Sequence, residues 1–504
     1  MNAAHPDRYE SFRAAYESGR GALVWRHDIA DLLTPVAAFL KVAHGRPYSF
    51  LLESVEGGVA RGRYSVIGMA PDLVWRCEGG IALMNREPLS NPEAFAPTGD
   101  APLESLRDLI AETRLDVPEG LPPMTGGLSG YLGYDMVRLM EELPATKPDV
   151  LGIPDAILVR PGLFIIFDSV TDEMTLAAPV YPRAGISAAS AYAAAELRLN
   201  EVARALEQPV PKLSGSQSEP LEQTSNMEEE EFLAMVETAK NYIHAGDVFQ
   251  VVPSQRFEAP FTLPPFALYR SLRRVNPAPF LFYLDFVNFV AVGSSPEILV
   301  RLRDGVVTIR PLAGTRKRGA TTAEDLALEA ELLADPKERA EHLMLLDLGR
   351  NDVGRVAQIG SVRVVESFAI ERFSHVMHIS STVEGRIRPE CDALDALIAG
   401  FPAGTLSGAP KVRAMEIIEE LEPSRRGLYA GCIGYFAANG TMDTCIGLRT
   451  ALVKDGKMYV QAGVGVVADS DPHAEYAESL LKARALFRAA DDAVRYVSAP
   501  ERAK

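Results

Sequence analysis

The 504-residue sequence predicts an α+β fold in which antiparallel β-sheets pack against helices. Strand-like apolar runs follow one another in groups, and helical stretches separate these groups without strict strand–helix alternation, which disfavours a doubly wound parallel sheet. Hydrophobic residues make up 47% of the chain and charged residues 24%, the composition of a globular protein with a large core.

The charge and the cysteine content of the chain indicate which partners and which compartment to expect. The net charge of −17 argues against nucleic acid or an anionic membrane as the main partner. The four cysteines form no C-x-x-C pair, so we expect free thiols in a reducing compartment. The first ten residues lack a signal-peptide core, and no apolar run approaches the ~18 residues of a membrane span. These features predict a cytoplasmic protein.

Residues 1–207 are predicted to form an N-terminal domain of short strands and a few helices. Turn signals at Gly57-Gly58 and Gly79-Gly80 separate apolar runs. Helices are predicted at 1–20, 103–113 and 188–207, strands at 21–26, 48–53, 63–67, 73–77, 81–84, 156–159 and 163–168, and a glycine-rich strand or turn at 126–135.

Residues 208–226 are rich in Pro, Ser, Gln and Glu and poor in large apolar side chains, which is typical of a linker. Residues 227–504 are therefore predicted to form a second domain. Its predicted helices are 228–244, the helix beginning at Pro336, 391–399, 411–421 and 472–497, and its predicted strands are 247–256, 280–285, 289–292, 298–301, 306–310, 362–365, 375–383, 429–437, 443–452 and 458–461.

One helix has a clear start and an acidic face. Asp335 is suited to the N-cap and Pro336 to the first helical position. Glu338 occupies the position of a capping-box acid, and Glu341 lies three residues further on the same face. The pair fits either a site for a hard metal ion or a solvated acidic surface. Leu343 and the following Met are expected to anchor the helix to the core.

The C-terminal helix repeats this arrangement. Asp471 and Pro472 mark its start, and Glu475, Glu478 and Lys482 share one face. Two matched acidic faces favour Mg²⁺ binding, since this ion takes one or two carboxylates together with water and an anionic substrate.

Other signals are weaker on their own. Gly463 and Gly465 match a dinucleotide-binding fingerprint loosely, but the next helix begins at Pro472, so a strand-end turn or a close approach of backbone to a ligand is favoured. His378 lies in an apolar strand, where a structural histidine is the usual case. Arg449, which we place within a strand, fits either a salt bridge or a ligand contact.

Together these motifs resemble those of the chorismate-utilising enzymes. The resemblance is carried by residues 293–297, 311–316, 335–352, 404–411, 463–465 and 475–482, and it spans roughly 228–490. Residues 51–54, 63–65 and 126–135 extend it, so that nearly the whole chain is similar to the large subunits of anthranilate synthases.

The resemblance implies a fold, a reaction and a set of site residues. The expected reaction is Mg²⁺-dependent amination of chorismate at C2 followed by loss of pyruvate, and the ion is expected on Glu341 and Glu478, with Glu338 and Glu475 in support through water. The catalytic residues implied are Glu297, His378, Thr405 and Gln250, and the substrate-binding residues implied are Tyr429, Arg449, Gly463, Gly465, Lys482, Ala313, Gly314 and Thr315.

Two positions discriminate within the family. Isochorismate and salicylate synthases have a water-activating lysine where this chain has Gln250, and aminodeoxychorismate synthases have an adduct-forming lysine where it has Ala313. Both differences indicate an anthranilate synthase. The alternatives are an aminodeoxychorismate synthase component I and a non-catalytic, tryptophan-binding regulatory homologue.

The resemblance also implies partners and an inhibitor. The chain shows no glutaminase domain, so ammonia is expected from a separate glutamine amidotransferase subunit, in a heterotetramer. Inhibition by L-tryptophan is expected at Glu53, Ser54, Asn276, Pro279, Phe280, Leu281 and Cys445. The family usually shows Asn-Pro-Ser-Pro-Tyr-Met where this chain has Ala278, Phe280 and Leu281, so two hydroxyls and a thioether are missing here.

Overall fold

The computed structural model of the chain describes residues 6–56, 60–217, 221–373 and 376–498. Every ladder between the named strands is antiparallel, which confirms the predicted α+β class with antiparallel sheets. The predicted turn at Gly57-Gly58 and the first residue of the strand predicted at 375–383 lie outside the described residues. Within them, no helix is long and apolar enough to cross a membrane.

The described residues form helices and strands along the whole chain, with 3-10 turns at Tyr134–Leu139 and Ala493–Tyr496. The helices are α1 (Pro6–Glu17), α2 (Pro35–Val42), α3 (Pro102–Glu112), α4 (Ala188–Leu206), α5 (Glu229–Ala245), α6 (Pro265–Val275), α7 (Thr322–Ala334), α8 (Pro336–Gly354), α9 (Ala393–Gly400), α10 (Gly404–Ser407), α11 (Lys411–Leu421) and α12 (Pro472–Asp492). The strands are β1 (Ala22–Ile29), β2 (Phe50–Glu56), β3 (Ala60–Glu78), β4 (Ile81–Asn85), β5 (Ala96–Pro97), β6 (Gly127–Leu132), β7 (Ala156–Asp168), β8 (Glu173–Val180), β9 (Thr224–Ser225), β10 (Gln250–Val251), β11 (Ser254–Pro260), β12 (Phe280–Asp285), β13 (Val290–Ser295), β14 (Ile298–Arg303), β15 (Val306–Ile309), β16 (Leu312–Lys317), β17 (Arg363–Arg372), β18 (Val376–Arg386), β19 (Gly408–Ala409), β20 (Cys432–Ala437), β21 (Met442–Ile446), β22 (Thr450–Lys454) and β23 (Lys457–Gly463).

Strands from both sides of residues 208–226 belong to one hydrogen-bonded sheet. In one direction the order is β1–β8–β7–β3–β2–β12–β13–β22–β23–β11–β9. A second path runs β7–β6–β20–β21–β14–β15–β18, and β18 also pairs with β16 and β17. The β2–β12 and β6–β20 ladders join the N-terminal part of the chain to the C-terminal part. The division into two domains stays a prediction, and any such domains share a sheet.

Aromatic packing ties helices of the two parts together. Phe39 of α2 stacks on Phe266 of α6 with ring centroids 4.5 Å apart, and Tyr283 of β12 meets the Phe266 ring edge-on at 5.1 Å. All three side chains are buried. Such contacts add about 0.5–1.5 kcal/mol per pair to the effect of burial.

Several predicted boundaries were wrong for physical reasons. The strands predicted at 63–67 and 73–77 are one strand, β3, whose ladder passes an irregularity next to Pro71, and 156–159 and 163–168 are one strand, β7. The predicted strand 443–452 is two strands, β21 and β22. Arg449 lies between them with φ +49°, so its placement within a strand was wrong. Helices α2, α6 and α7 and strands β8 and β16 were not predicted from the sequence.

Candidate active site

The start of α8 follows the predicted capping pattern. The Asp335 side chain accepts hydrogen bonds from the backbone N–H groups of Lys337 (3.0 Å) and Glu338 (3.4 Å), and Pro336 is the first helical residue. The Glu338 carboxylate does not complete a capping box. It accepts a hydrogen bond of 2.9 Å from Arg316 Nη1, which fixes it beside β16.

The residues that anchor α8 to the core are not those predicted. Leu343 is 51% exposed, so its assignment to the core was wrong. Leu345 and Leu346 are buried and pack the helix against the protein. This register turns Glu341, four residues before Leu345, towards the interior.

Glu341 is partly buried and touches Gln250. Its Oε1 accepts a hydrogen bond of 3.1 Å from Gln250 Nε2. Burial raises the pKa of Glu341, and the negative charges of Glu338 and Glu478 raise it further, while the bond from Gln250 opposes them. The acidic faces of the two helices are therefore close enough for Glu478 to act on Glu341.

The start of α12 also matches its prediction. Asp471 caps the helix by accepting from Ala474 N at 2.9 Å. Glu478 forms an ion pair of 2.8 Å with Lys482, and burial raises the pKa of Glu475, with a further contribution from the charge of Glu478. α12 thus presents two carboxylates and one ammonium group to the site.

These carboxylates fit a Mg²⁺ ion that is completed by water and substrate. Within the described ranges no group of three or more His, Cys, Asp or Glu side chains is close enough to form a metal cage. Mg²⁺ needs no such cage, since it commonly takes one or two carboxylates and keeps several waters. The negative charge of Glu478 contributes to the raised pKa of Glu341, so the two carboxylates lie near each other, whereas Glu338 is engaged by Arg316.

Glu297 follows β13 and is a buried acid. Its side chain lies in the interior, and its Oε1 accepts hydrogen bonds from Thr405 Oγ1 (3.1 Å) and Leu312 N (3.3 Å). Burial raises the pKa of Glu297 to about 8, the two hydrogen bonds oppose this shift, and the charge of Glu371 adds to it. Glu297 is therefore mostly protonated at neutral pH and able to donate a proton.

His378 of β18 is held neutral in a defined tautomer. Its Nδ1 lies 2.9 Å from the Gly314 carbonyl oxygen, which only accepts, so Nδ1 carries the proton and Nε2 keeps its lone pair. Thr315 Oγ1 lies 3.1 Å from the same nitrogen. Burial lowers the pKa of His378 to about 4, and the nearby cations Arg449 and Lys482 lower it further. The imidazole is thus an available proton acceptor.

A bulge in β16 makes this arrangement possible. The ladder between β16 and β18 shifts register between Ala313 and Thr315, and Gly314 between them has φ +68°. A Cβ on Gly314 would lie 3.0 Å from Glu338 Oε2. The glycine therefore brings the backbone of β16 close both to His378 and to the acidic face of α8.

Arg449 and Tyr429 bring a positive charge and a hydroxyl to the same neighbourhood. In the described part of the chain the Arg449 guanidinium makes no side-chain hydrogen bond or ion pair, although Tyr429 and Glu478 act on it electrostatically. Burial lowers its pKa, and the group remains charged. Such an unsatisfied guanidinium suits a substrate carboxylate.

Gly463 at the end of β23 and Gly465 just after it leave room for site side chains. A Cβ on Gly463 would lie 2.7 Å from the Tyr429 hydroxyl, and one on Gly465 would lie 2.6 Å from Gln250 Nε2. The Gly463 carbonyl accepts a hydrogen bond of 2.9 Å from Lys482 Nζ. No helix begins at Gly465, so the dinucleotide-binding alternative has no support.

Most residues expected to bind tryptophan line one cavity of about 1030 Å³. Six of the seven border it: Glu53, Ser54, Pro279, Phe280, Leu281 and Cys445. They meet because β2 pairs with β12, so that Ser54 lies opposite Phe280 and Glu53 opposite Leu281. Asn276 is not among the described residues that border the cavity.

The Glu53 carboxylate in this cavity is already charge-compensated. It accepts hydrogen bonds from Arg273 Nε (2.6 Å) and Nη2 (3.0 Å) and from the Tyr269 hydroxyl. The cavity also reaches Leu312 and Phe373, which contact Glu297 and His378. The cavity therefore borders residues that contact Glu297 and His378.

Comparison with known proteins gives the family. The family described as chorismate binding enzyme matches residues 49–488. The chain belongs to the chorismate-binding enzymes. The sequence is 58% identical over 487 residues to anthranilate synthase component 1 of Cereibacter sphaeroides, covering 96% of this chain and 97% of that protein. The predicted resemblance to anthranilate synthase large subunits, and with it the prediction of an enzyme of that type, is confirmed.

Solved structures of chorismate-binding enzymes agree. Anthranilate synthase component I from Streptococcus pneumoniae superposes with a TM-score of 0.75 at 38% identity, covering 92% of this chain and 99% of that one. The menaquinone-specific isochorismate synthase from Escherichia coli shares the fold alone, with a TM-score of 0.71 at 19% identity over 96% of this chain and 99% of that one.

Three charged residues that contact the site of this chorismate-binding enzyme were missed from the sequence. Arg316 holds Glu338, Asp335 and Glu331 together at the junction of α7 and α8. Arg426 and Glu422 form a buried ion pair beneath the site. Each of the three lies among other charged residues in the sequence, and such a pattern does not reveal which of them is buried or which distant backbone group it binds.

Proposed function

We propose that the chain is the large subunit of an anthranilate synthase. It adds ammonia to C2 of chorismate with loss of the C4 hydroxyl, and then eliminates pyruvate to give anthranilate. The observation that carries the proposal is the 58% identity, over nearly the whole chain, to a protein named anthranilate synthase component 1. The geometry supports it, because Glu297, Glu341 and His378 make contacts suited to the roles that the family implies.

Substrate binding uses the cations and the close backbone. Arg449 and Lys482 receive the enolpyruvyl carboxylate, with the Tyr429 hydroxyl and the backbone of Gly463 and Gly465 beside them. Ala313, Gly314 and Thr315 form the opposite wall through β16, where Ala313 provides no nucleophile. The free guanidinium of Arg449 supports this assignment.

The carboxylates of Glu341 and Glu478 would hold Mg²⁺, and Glu338 and Glu475 would support it through water. The bound ion supplies positive charge to the ring carboxylate of chorismate and so withdraws electron density from the ring. Gln250 fixes the Glu341 carboxylate through its N–H group. Its Oε1 is buried and lacks a partner among the described residues, which leaves it free to accept a hydrogen bond from ammonia.

Two residues carry the proton transfers. Glu297, with Thr405 on its Oε1, donates a proton to the C4 hydroxyl as ammonia adds at C2 and water leaves. His378, neutral and unprotonated at Nε2, assists the second step by accepting the C2 proton as pyruvate departs and the ring becomes aromatic. Their opposite pKa shifts support this division of acid and base.

Ammonia is supplied from glutamine by a separate amidotransferase subunit, and L-tryptophan inhibits from the cavity between β2 and β12. The free thiols of the cysteines fit a reducing compartment, and we place the protein in the cytoplasm.

The test is to incubate the purified chain with chorismate, MgCl₂ and ammonium salt at mildly alkaline pH and to follow anthranilate fluorescence. Anthranilate and pyruvate in equal amounts are the expected products. Formation of aminodeoxychorismate would identify the alternative enzyme, and tryptophan binding without any turnover would identify a regulatory homologue.

A further inference from the structure

A buried ion pair beneath the site has no role in the steps above. Arg426 and Glu422 are each only 2% exposed, and Arg426 Nη2 lies 2.6 Å from Glu422 Oε1. Buried ion pairs seldom stabilise a fold more than a well-packed apolar pair of the same size, because both charges lose their hydration. The other groups that the two side chains bind therefore indicate what the ion pair does.

The guanidinium binds two segments that carry site residues, helix α10 and the residue that follows β10. Arg426 Nη1 donates to the Leu406 carbonyl at 2.7 Å, and Nη2 donates to the Val252 carbonyl at 2.6 Å. Leu406 directly follows Thr405, and Val252 comes two residues after Gln250. These two segments also bind each other, since Val252 N donates to the Ser407 carbonyl at 2.9 Å.

The carboxylate holds the same region from the other side. Glu422 Oε1 accepts from both Ser254 N (2.8 Å) and Ser254 Oγ (2.7 Å). Ser254 pairs with Gly463 in the β11–β23 ladder. The pair is thus connected to the glycine backbone that approaches the substrate-binding residues.

The face of the guanidinium supports a third site residue. Its central carbon lies 5.4 Å from the centroid of the Tyr429 ring and 4.8 Å from that of Tyr134. Stacking of this kind and the planar fork of hydrogen bonds both require arginine, and a lysine ammonium provides neither.

We infer that Arg426 and Glu422 are positioning residues, whose ion pair fixes the placement of Gln250, Thr405 and Tyr429 relative to one another. The inference rests on the proposed function, because those three residues belong to the proposed site. Neither side chain touches the substrate region directly, so the pair acts through the groups that it holds.

The test compares Arg426→Lys with a matched control, Arg160→Lys. Arg160 is also buried, forms a two-pronged ion pair with Asp72 at 2.8 and 2.9 Å and lies over the Tyr181 ring at 4.1 Å, but it belongs to β7 in the N-terminal part. With chorismate, Mg²⁺ and ammonium, kcat per folded molecule is expected to fall about ten- to hundredfold in Arg426→Lys, more than KM changes, and to stay unchanged in Arg160→Lys.

The double variant Arg426→Gln with Glu422→Gln removes both buried charges at once, so that it avoids an unpaired ion. Measured well below its Tm, with folding checked by circular dichroism, it is expected to show the same loss of kcat. Equal kcat per folded molecule in wild type and both Arg426 variants, or equal losses in Arg426→Lys and Arg160→Lys, would overturn the inference.

Hydrogen exchange separates the inference from the proposed function, because it needs no turnover. The amide of Val252 is expected to exchange faster in Arg426→Lys than in wild type and to be unaffected in Arg160→Lys. Unchanged exchange would overturn the inference, whereas a wild-type chain that forms no anthranilate would contradict only the proposed function.

Discussion

At the scale of single residues, the same chemical group serves opposite roles according to its surroundings. Glu297 is deeply buried among neutral donors, whereas Glu341 faces other carboxylates and an amide. Burial raises the pKa of both, but Glu297 gains no compensating cation and stays protonated at neutral pH. Glu341 lies near Glu338, Glu478 and Lys482, so the proposed function makes Glu297 the acid and Glu341 a ligand of Mg²⁺.

The raised pKa of Glu297 predicts a pH dependence of catalysis. Because the acid must be protonated, kcat/KM expressed per unprotonated ammonia is expected to fall as pH rises through about 8. The measurement is a pH profile of anthranilate formation. A profile that stays flat across this range would remove Glu297 as the acid.

The same shift predicts a pH dependence of stability. The folded state binds the Glu297 proton more tightly than the unfolded state, so this group's contribution to stability is complete below pH 4.5 and is lost as pH rises to about 8. Glu297→Gln lacks that titration. Its free energy of unfolding in urea is expected to fall less than that of wild type across this window, and its activity is expected to be lost.

Glu341→Gln is predicted to abolish turnover while leaving the fold intact. The amide keeps the size of the side chain but removes the charge that holds Mg²⁺, so excess MgCl₂ is expected to restore little activity. Asp347→Asn is the matched control, because it removes a carboxylate from an exposed position of the same helix, where it pairs only with Arg350. Wild-type turnover in Glu341→Gln would exclude Glu341 from the metal site.

The residues that could be predicted from the sequence are those that belong to a short local pattern. Asp335 and Asp471 are recognisable as caps, and the acids behind them share a face by simple spacing. Glu297 and His378 came from the family resemblance, since from the residues alone His378 was interpreted as structural. Arg426 could not be found, because its partners at 252 and 406 are distant in the chain.

At the scale of elements, some helices were predicted closely, whereas α2 and α7 were missed although each has a side-chain cap, at Thr34 and Thr321. α11 was predicted at its observed bounds, 411–421, and α5 within one residue at each end. α6 begins at Pro265, directly after Pro264 at the N-cap, and was not predicted, although its inner face is buried. The bulged strand β16 was missed because its register shift at Gly314 depends on β18 and α8.

Gly314→Ala is predicted to damage the site through β16. An alanine at φ +68° costs about 1–2 kcal/mol of backbone strain, and its Cβ would press on Glu338. Both stability and kcat/KM for chorismate are expected to fall. Gly305→Ala is the control, because it has a similar φ of +72° in the β14–β15 turn but no atom within 4 Å of the new Cβ.

Urea denaturation and steady-state kinetics of the two glycine variants separate strain from contact. A similar loss of stability in both, with loss of activity only in Gly314→Ala, is the expected result. Loss of activity in Gly305→Ala as well would show that general destabilisation explains the effect.

At the scale of the whole molecule, one sheet contains strands from both sides of the predicted linker. The linker composition of 208–226 marks a boundary, yet β2 and β6 from before it pair with β12 and β20 from after it. No local pattern shows such pairing, because partner strands are separated by more than 200 residues. The cavity that gathers Glu53 and Leu281 exists only through this arrangement.

The two parts of the chain are therefore predicted to stay associated after the linker is cut. Replacing residues 209–212, which are exposed, with a protease recognition site allows the chain to be cut after folding. Because ladders and a shared core hold the two fragments, they are expected to elute together in gel filtration and to retain most anthranilate synthesis. A denaturing gel confirms the cut, and 6 M urea, a strongly denaturing condition, is expected to separate the fragments. Fragments that part in native buffer, with 1–207 remaining folded, would show instead that the two parts are independent domains.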